Sequence, residues 1–231
     1  MSVRGLALGA ALVLTLSGCS MPDATPSTPP AGLTVLALGD SYTIGEGVAP
    51  DQTWPVRMAA ALRADGTPVA DPLVIAQTGW TTDELDAGID ARAAEMRVPY
   101  DLVTLLIGVN DQYRGRTASE VRTRFRDLLA RAVAFAGGDA GRVVVVSIPD
   151  WGVTPFAASR DAEAIAQAID AVNAVARDEA ARAGAAFVDI TPLSRTQGSL
   201  VVGDDLHPTG EAYAAWTARI VPVARAALAP L

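Results

Sequence analysis

Histidine and cysteine are almost absent from this chain, which contains one of each, His207 and Cys19, among its 231 residues. A single cysteine excludes a disulfide within the chain. One cysteine and one histidine are also too few for an ordinary structural zinc site. Composition alone does not exclude a metal site made only of carboxylates, but we predict neither a metal nor a cofactor.

Lysine is missing altogether, so all 18 basic residues are arginine, and they are outnumbered by 26 acidic residues. The resulting net charge of -8 makes nucleic acid a poor partner, and we predict no such partner. Aromatic residues are also scarce, at 5%, whereas half of all residues are hydrophobic. This composition is typical of a globular protein and not of a disordered one.

The first apolar run, residues 6–16, follows Arg4 and is too short for the roughly 20 residues of a membrane span. It matches the apolar region of an export signal. It ends in Leu16-Ser17-Gly18-Cys19, which resembles the lipobox of bacterial lipoproteins. The resemblance implies that residues 1–18 are a lipoprotein signal peptide and that Cys19 is lipidated. Ordinary secretion is the alternative.

Residues 19–32 are rich in proline and small polar residues, and this composition predicts an extended tether. From residue 33 onwards, short apolar runs alternate with longer stretches of helical spacing. We therefore predict one domain over residues 33–231, with a parallel sheet covered by helices on both faces. The predicted strands are residues 33–38, 73–76, 102–107, 143–148 and 185–190. The predicted helices are residues 54–64, 82–96, 118–135, 161–183 and 209–228. Pro222 is expected to kink or shorten the last helix.

Four short blocks stand where these predicted elements meet, at the carboxyl ends of strands or before the last helix. Open parallel sheets bind their ligands at that edge. In chain order, the blocks resemble those of the SGNH (GDSL) hydrolase family over essentially the whole domain. The blocks are Gly39-Asp40-Ser41, Gln77-Thr78-Gly79-Trp80, Gly108-Val109-Asn110-Asp111 and Asp204-Asp205-Leu206-His207-Pro208. The resemblance implies a flavodoxin-like, three-layer α/β/α sandwich with a five-stranded parallel sheet.

The family resemblance also implies a role for single residues. Ser41 is expected to be the nucleophile and His207 its general base, held in the correct tautomer by Asp204. The expected oxyanion hole consists of the Ser41 and Gly79 backbone N–H groups and the Asn110 side-chain amide. Pro208 suits the start of a helix, because it lacks the N–H that would be unsatisfied there.

Two positions depart from the family pattern. Asp205 stands where glycine often follows the catalytic aspartate, which leaves open which carboxylate reaches His207, although the spacing favours Asp204. Gln77 stands where asparagine is frequent, so we expect the Gly79 loop to be braced differently. Asp40 has no direct chemical role that we can assign, and we expect it to order the turn by hydrogen bonding.

Several large side chains flank the expected site and are candidates for a substrate pocket. Trp151, which follows the fourth strand, is the strongest of them. The candidates are Tyr42, Trp80, Trp151 and Leu206, with Gln112 and Tyr113 beside them in the sequence.

These observations predict a lipid-anchored or secreted, extracytoplasmic serine esterase that forms an acyl-enzyme. Its partners would be a small-molecule or lipid ester and the membrane that holds its anchor, and we expect a monomer. A carbohydrate O-deacetylase or acyltransferase acting on envelope polymers would use the same residues and stays open. A non-catalytic binding lipoprotein is disfavoured, because every block is retained. A flavin-binding module is disfavoured too, because residues 41–47 lack a hydroxyl-rich phosphate loop.

Overall fold

The computed structural model of the chain describes residues 1–2 and 32–229, and within them five strands form one parallel sheet. The strands are β1 Val35–Asp40, β2 Leu73–Gln77, β3 Leu102–Leu106, β4 Val143–Val146 and β5 Ala186–Val188. Their order is β2-β1-β3-β4-β5, which is the flavodoxin-like order. The predicted fold class is confirmed.

The central strands are apolar along their whole length because helices cover both faces of the sheet. All residues of β1, β3 and β4 are buried. Helix α2 packs against α8, whereas α3, α5 and α6 form a second packed group. The α-helices of the described residues are α1 Ser41–Ile44, α2 Trp54–Ala64, α3 Thr82–Ala91, α4 Val109–Tyr113, α5 Ala118–Phe135, α6 Ala162–Ala183, α7 Thr191–Ser194 and α8 Gly210–Leu228.

Helix α3 is shorter than predicted and ends at Ala91, with a 3-10 turn over Ala93–Glu95 after it. Arg92 caps the helix end and its side chain turns back to the sheet, where Nη1 donates to the Val74 carbonyl at 2.6 Å. Its Nε and Nη2 donate to the carboxylate of Glu95. These contacts favour a turn over further helix.

The last helix differs from the expectations for Pro222, as far as helix length is concerned, and for Pro208. Pro222 lies inside α8, which continues to Leu228, so this proline does not shorten the helix. The helix begins at Gly210, and its N-cap is Thr209, whose hydroxyl accepts from the Ala212 N–H. Pro208 therefore precedes the helix and forms an antiparallel bridge with Val201 instead.

The register of the sheet brings the predicted blocks together. Asp40 pairs with Gln77, and Gly39 pairs with Leu106. The loops after β1, β2 and β3 therefore leave the same edge of the sheet side by side. The β1 and β3 loops flank the point at which the strand order reverses, where ligands bind in this fold class.

Residues 3–31 lie outside the described residues, and they include Cys19 and almost all of the predicted signal peptide and tether. In the part of the chain that the structure describes, no helix is long and apolar enough to cross a membrane.

Candidate active site

Ser41 is the first residue of α1, directly after β1, and it is buried. Asp40 is the N-cap of this short helix, and its Oδ1 accepts from the Tyr42 N–H at 3.0 Å. The Ser41 hydroxyl is therefore not used for capping. Its Oγ lies 2.8 Å from Nε2 of His207. The expectation that Asp40 orders the turn agrees with this geometry.

The other ring nitrogen of His207 is held by Asp204 and not by Asp205. The Nδ1–Oδ2 distance to Asp204 is 2.6 Å. Oδ1 of the same carboxylate accepts from the backbone N–H groups of Leu206 and His207, both at 2.9 Å. An ionised carboxylate accepts from Nδ1–H, which leaves Nε2 unprotonated and able to accept a proton from Ser41.

Backbone hydrogen bonds hold the segment that carries Asp204 and His207 in place beside Ser41. The His207 carbonyl accepts from the Val202 N–H at 2.8 Å, and the Thr209 N–H donates to the Leu200 carbonyl at 2.9 Å. The tyrosine ring of Tyr42 packs against the imidazole, with the ring centroids 5.3 Å apart. The imidazole is thus held by its neighbours on its face as well as at both nitrogens.

Two carboxyl groups near the serine have altered acidity. Partial burial opposes ionisation of Asp204, but the hydrogen bonds from the ring and backbone of His207 and from Leu206 outweigh it and lower the pKa of Asp204. Complete burial, reinforced by the charge of Asp111, raises the pKa of Asp40 to about 8 despite the Tyr42 hydrogen bond. Asp204 is therefore a carboxylate at neutral pH, whereas Asp40 is largely protonated.

Gly79 and Asn110 line the same cleft as Ser41 and His207. Gly79 has φ of 81°, a conformation that glycine adopts without strain. The Asn110 Nδ2 donates to the Trp80 carbonyl at 3.0 Å, and an amide nitrogen has a second N–H for a substrate. Within residues 1–2 and 32–229, the Gly79 N–H has no hydrogen-bond acceptor.

Helix α4, which carries Asn110, is tied to α3 by the buried side chain of Asp111. Its carboxylate accepts from the backbone N–H and the hydroxyl of Thr82, both at 2.9 Å, and from Arg116 at 2.6 Å. Asp111 is thus a brace between the two helices and not only a loop-forming residue.

The cleft at the serine has a volume of about 180 Å³ and mostly apolar walls. Of the four predicted pocket residues, Tyr42, Trp151 and Leu206 line it. Trp80 does not, because its ring packs directly over Gly88 of α3, with no space for a side chain there. The apolar lining consists of Tyr42, Val109, Tyr113, Trp151, Phe156 and Leu206.

Phe156, which the sequence patterns did not single out, joins Tyr113 and Trp151 at the mouth of the cleft. The three rings contact one another, with centroids 5.3 to 6.2 Å apart. The guanidinium of Arg160 lies over all of them. Gln112 does not line the cleft, but it accepts from the Trp151 indole N–H at 2.8 Å and so orients that ring. The sequence signal that could have identified Phe156 is the long loop after β4, which carries both Trp151 and Phe156.

No group of three or more histidine, cysteine, aspartate or glutamate side chains that could hold a metal ion occurs within residues 1–2 and 32–229.

A parallel α/β sheet with a hydrogen-bonded serine, histidine and aspartate at its carboxyl edge defines a hydrolase of the serine type. The chain belongs to the GDSL-like lipase/acylhydrolase family, whose sequence model matches residues 37–215. It is a carboxylic ester hydrolase, and the predicted family is confirmed. No curated protein sequence matches the chain.

Several solved structures, two of them described as esterases, share the fold at low sequence identity. TesA is 21% identical, with a TM-score of 0.68 over 84% of this chain and 99% of its own. The psychrotrophic esterase EstA from Pseudoalteromonas sp. is 15% identical, with a TM-score of 0.63 over 83% and 96%. Axe2, an acetylxylan esterase from Geobacillus stearothermophilus, is 16% identical, with a TM-score of 0.64 over 84% and 95%.

Proposed function

We propose that the protein is a serine esterase that hydrolyses esters of small or lipid-derived acids at the cell envelope through an acyl-enzyme. The observation that carries this proposal is the continuous row of hydrogen bonds from Ser41 through His207 to Asp204, which opens into an apolar cleft.

In the proposed mechanism, Ser41 Oγ attacks the ester carbonyl carbon while His207 Nε2 takes the hydroxyl proton. The C=O electrons move to the oxygen, which becomes an oxyanion that accepts from the Ser41 and Gly79 N–H groups and from Asn110 Nδ2. When the intermediate collapses, the alkoxide leaves with the proton from Nε2. Water then attacks the acyl-Ser41 with the same base, and the acid and free serine are released.

The size and polarity of the cleft favour short acyl chains. About 180 Å³ is below the 300 to 1,000 Å³ that is usual for a site enclosing a drug-sized ligand. The rings of Tyr42 and Trp151 and the Leu206 side chain supply apolar walls close to the serine. Short soluble esters therefore fit this cleft better than bulk triglyceride.

A second candidate is the removal of acetyl groups from envelope carbohydrate, or acyl transfer to it. Tyr113 and Phe156 are 44% and 38% exposed at the mouth of the cleft, and exposed rings suit the flat faces of sugars. One structural neighbour is described as an acetylxylan esterase. In this alternative, the cleft would hold only the acetyl group and the rings would contact the sugar.

The first test is Ser41→Ala, which removes only the hydroxyl. Hydrolysis of p-nitrophenyl acetate should fall by roughly 10³-fold or more, while the circular dichroism spectrum and melting temperature stay close to those of the parent. An organophosphonate should label Ser41 in the parent, as read by mass spectrometry of peptides. A fully active Ser41→Ala protein, or a label on another residue, would refute the nucleophile.

The two candidate substrates are separated by a panel of acyl esters of increasing chain length and of acetylated oligosaccharides. A replacement of Phe156 by alanine should raise KM for acetylated oligosaccharides and leave that for p-nitrophenyl acetate nearly unchanged, if sugars are the substrate. Equal effects on both classes would favour the simple ester.

We also propose, from the sequence alone, that the mature protein begins at a lipidated Cys19 and acts outside the cytoplasm as a monomer. The support is the apolar run, the lipobox-like residues 16–19 and the proline-rich tether that follows.

A further inference from the structure

The loop that carries Gly79 is held from outside the cleft by Arg114, the residue directly after α4. Nη2 of Arg114 donates to the Gly79 carbonyl at 2.7 Å. Nη1 lies 3.0 Å from Oε1 of Glu84, near the start of α3. A guanidinium is planar and its N–H directions are fixed. Once Glu84 holds one nitrogen, the other is therefore aimed at the Gly79 carbonyl.

Arg114 acts together with Asn110, which is four residues earlier and therefore on the same side of the helical turn. Asn110 holds the Trp80 carbonyl at 3.0 Å, so two successive carbonyls of the loop each accept from this turn. The Trp80 N–H also donates to the Gln77 carbonyl at 3.3 Å. The peptide plane between Gly79 and Trp80 is thus fixed at its oxygen and at its nitrogen.

The Gly79 N–H needs this support because glycine rotates easily about φ. When the peptide plane after Gly79 is fixed, the direction of the Gly79 N–H depends only on the φ and ψ angles of this one residue, and φ here is 81°. On the N-terminal side of Gly79, the Thr78 hydroxyl donates to the Glu46 carboxylate. Without the Arg114 contact, the carbonyl of Gly79 has no other hydrogen-bond donor among the described residues.

We propose that Arg114 is a positioning residue for ester hydrolysis, which keeps the Gly79 N–H directed at the oxyanion by holding the Gly79 carbonyl. This inference rests on the proposed role of Gly79 in the oxyanion hole. Arg114 is not among the residues that line the cleft in the described chain, so it acts through the loop and not on the substrate.

The test compares Arg114→Met with Arg126→Met, a matched loss of one surface arginine. Among the residues that the structure describes, the only ion pair of Arg126 is a loose 3.9 Å contact with Asp127. Loss of a whole oxyanion donor costs about 10²- to 10³-fold in kcat, so a misdirected donor should cost about 10-fold or more. We expect that loss in Arg114→Met, in kcat per active site counted by the burst of p-nitrophenol, with KM changed less than about twofold. Arg126→Met should match the parent.

Two further variants keep the test valid if Arg114→Met folds poorly. Arg114→Lys keeps the charge, but one ammonium cannot hold Glu84 and the Gly79 carbonyl in the same fixed geometry, so an intermediate kcat is expected. Glu84→Gln keeps the helix cap, since glutamine also serves in a capping box, but it loses the ion pair. It should lower kcat less than Arg114→Met does.

A second readout needs no substrate and separates this inference from the proposed function. The Gly79 amide should give one sharp NMR signal in the parent and a shifted or exchange-broadened signal in Arg114→Met. A merely structural role would lower the melting temperature or the number of titrated sites and leave kcat per site unchanged. Unchanged kcat per site, or an unchanged Gly79 amide, would overturn the inference, whereas an active Ser41→Ala protein would overturn the proposed function.

Discussion

Asp204 and Asp205 are adjacent in the sequence, but the structure gives them different surroundings. The Asp204 carboxylate accepts from the His207 ring and from the backbone N–H groups of Leu206 and His207, whereas the Asp205 side chain has no hydrogen bond within the described residues. Asp205 has φ of 63°, in the left-handed region that glycine adopts most easily. This geometry suits the glycine that the family resemblance led us to expect here, and aspartate, which tolerates the region, can replace it.

The matched pair Asp204→Asn and Asp205→Asn tests which carboxylate serves His207. Asparagine at 204 can present an amide N–H to Nδ1 and favour the wrong tautomer, so kcat should fall about 10²- to 10⁴-fold. Asparagine at 205 also tolerates positive φ, and kcat should stay within about twofold. Steady-state kinetics on p-nitrophenyl acetate give kcat for both variants. Equal losses of kcat would contradict the assignment of Asp204 as the partner of His207.

Asp40 makes a pH-dependent contribution to stability whose sign follows from its raised pKa. The unfolded carboxyl loses its proton near pH 4, whereas the folded one keeps it until about pH 8. The free energy of unfolding should therefore fall between these values as the pH rises, by at most about 1.4 kcal/mol per pH unit. Below pH 4 the contribution is fully present, and above about pH 8 the loss is complete.

Asp40→Asn removes this titration and keeps an oxygen for the Tyr42 N–H. Relative to the parent, the variant should therefore gain stability as the pH rises from 5 to about 8 and show no further gain above that pH, as measured by urea denaturation at fixed ionic strength. Parallel stability curves for the two proteins would show that Asp40 is not protonated in the folded state.

The sequence patterns could identify Ser41, His207 and Asp204 because each belongs to a block at an element boundary. They could not identify Arg114, Phe156 or Arg160. Arginine on a short helix is an ordinary surface residue, and its contact with Gly79 depends on how α4 sits beside the β2 loop. Phe156 reaches the cleft because its backbone N–H donates to the Asp205 carbonyl at 3.0 Å, a contact between segments far apart in the chain.

At the scale of elements, the long amphipathic helices were the easiest to predict, and the bounds of α2 and α5 agree with the sequence patterns. The short helices α1, α4 and α7 were not predicted by the periodicity of the sequence. Four or five residues are too few to show a helical period. Each of these helices follows closely after a strand, and only α1 has a side-chain cap at its start. Two of the three carry site residues, so the local geometry of the site was the part least accessible from periodicity.

The loop after β4 is positioned by one buried side chain of α6. Asn173 accepts from the Ile148 N–H at 2.8 Å and donates to the Ile148 carbonyl and to the Thr191 hydroxyl. It thus joins α6, the end of β4 and α7 just before the segment that presents Trp151. No side chain without both a donor and an acceptor can replace it there.

Asn173→Ala should lower the free energy of unfolding by about 2 to 4 kcal/mol, because buried groups of Ile148 lose their partners. KM for ester substrates should also rise, because Trp151 lines the cleft. The control is Gln167→Ala on the same helix, whose exposed side chain bonds, within the described part of the chain, only to Glu163. Its free energy of unfolding should stay within about 0.5 kcal/mol of the parent. Urea denaturation gives both free energies of unfolding. Equal losses in the two variants would contradict the role of Asn173 in positioning the loop after β4.

At the scale of the whole molecule, the start of the domain at Leu33 and the active site lie at opposite edges of the sheet. Leu33 bridges to Val69 ahead of β1, and β1 then runs for six residues to Asp40. At about 3.3 Å per residue, the strand separates the two edges by about 20 Å. A tether that ends near residue 32 would therefore join the domain at the amino edge of the sheet, opposite the edge that carries the cleft.

This arrangement predicts that anchoring and catalysis are separable. Cys19→Ser removes the proposed lipid attachment site, so the protein should move from the membrane fraction to the soluble one, since an apolar run this short does not span a bilayer. Because the cleft lies at the edge of the sheet opposite Leu33, kcat/KM on a soluble ester should stay within about twofold of the parent. Ser17→Ala, which keeps a small residue and the cysteine, is the control and should remain in the membrane fraction. Continued membrane fractionation of Cys19→Ser would contradict the lipid anchor, and a large loss of activity on the soluble ester would contradict the separation of anchor and site.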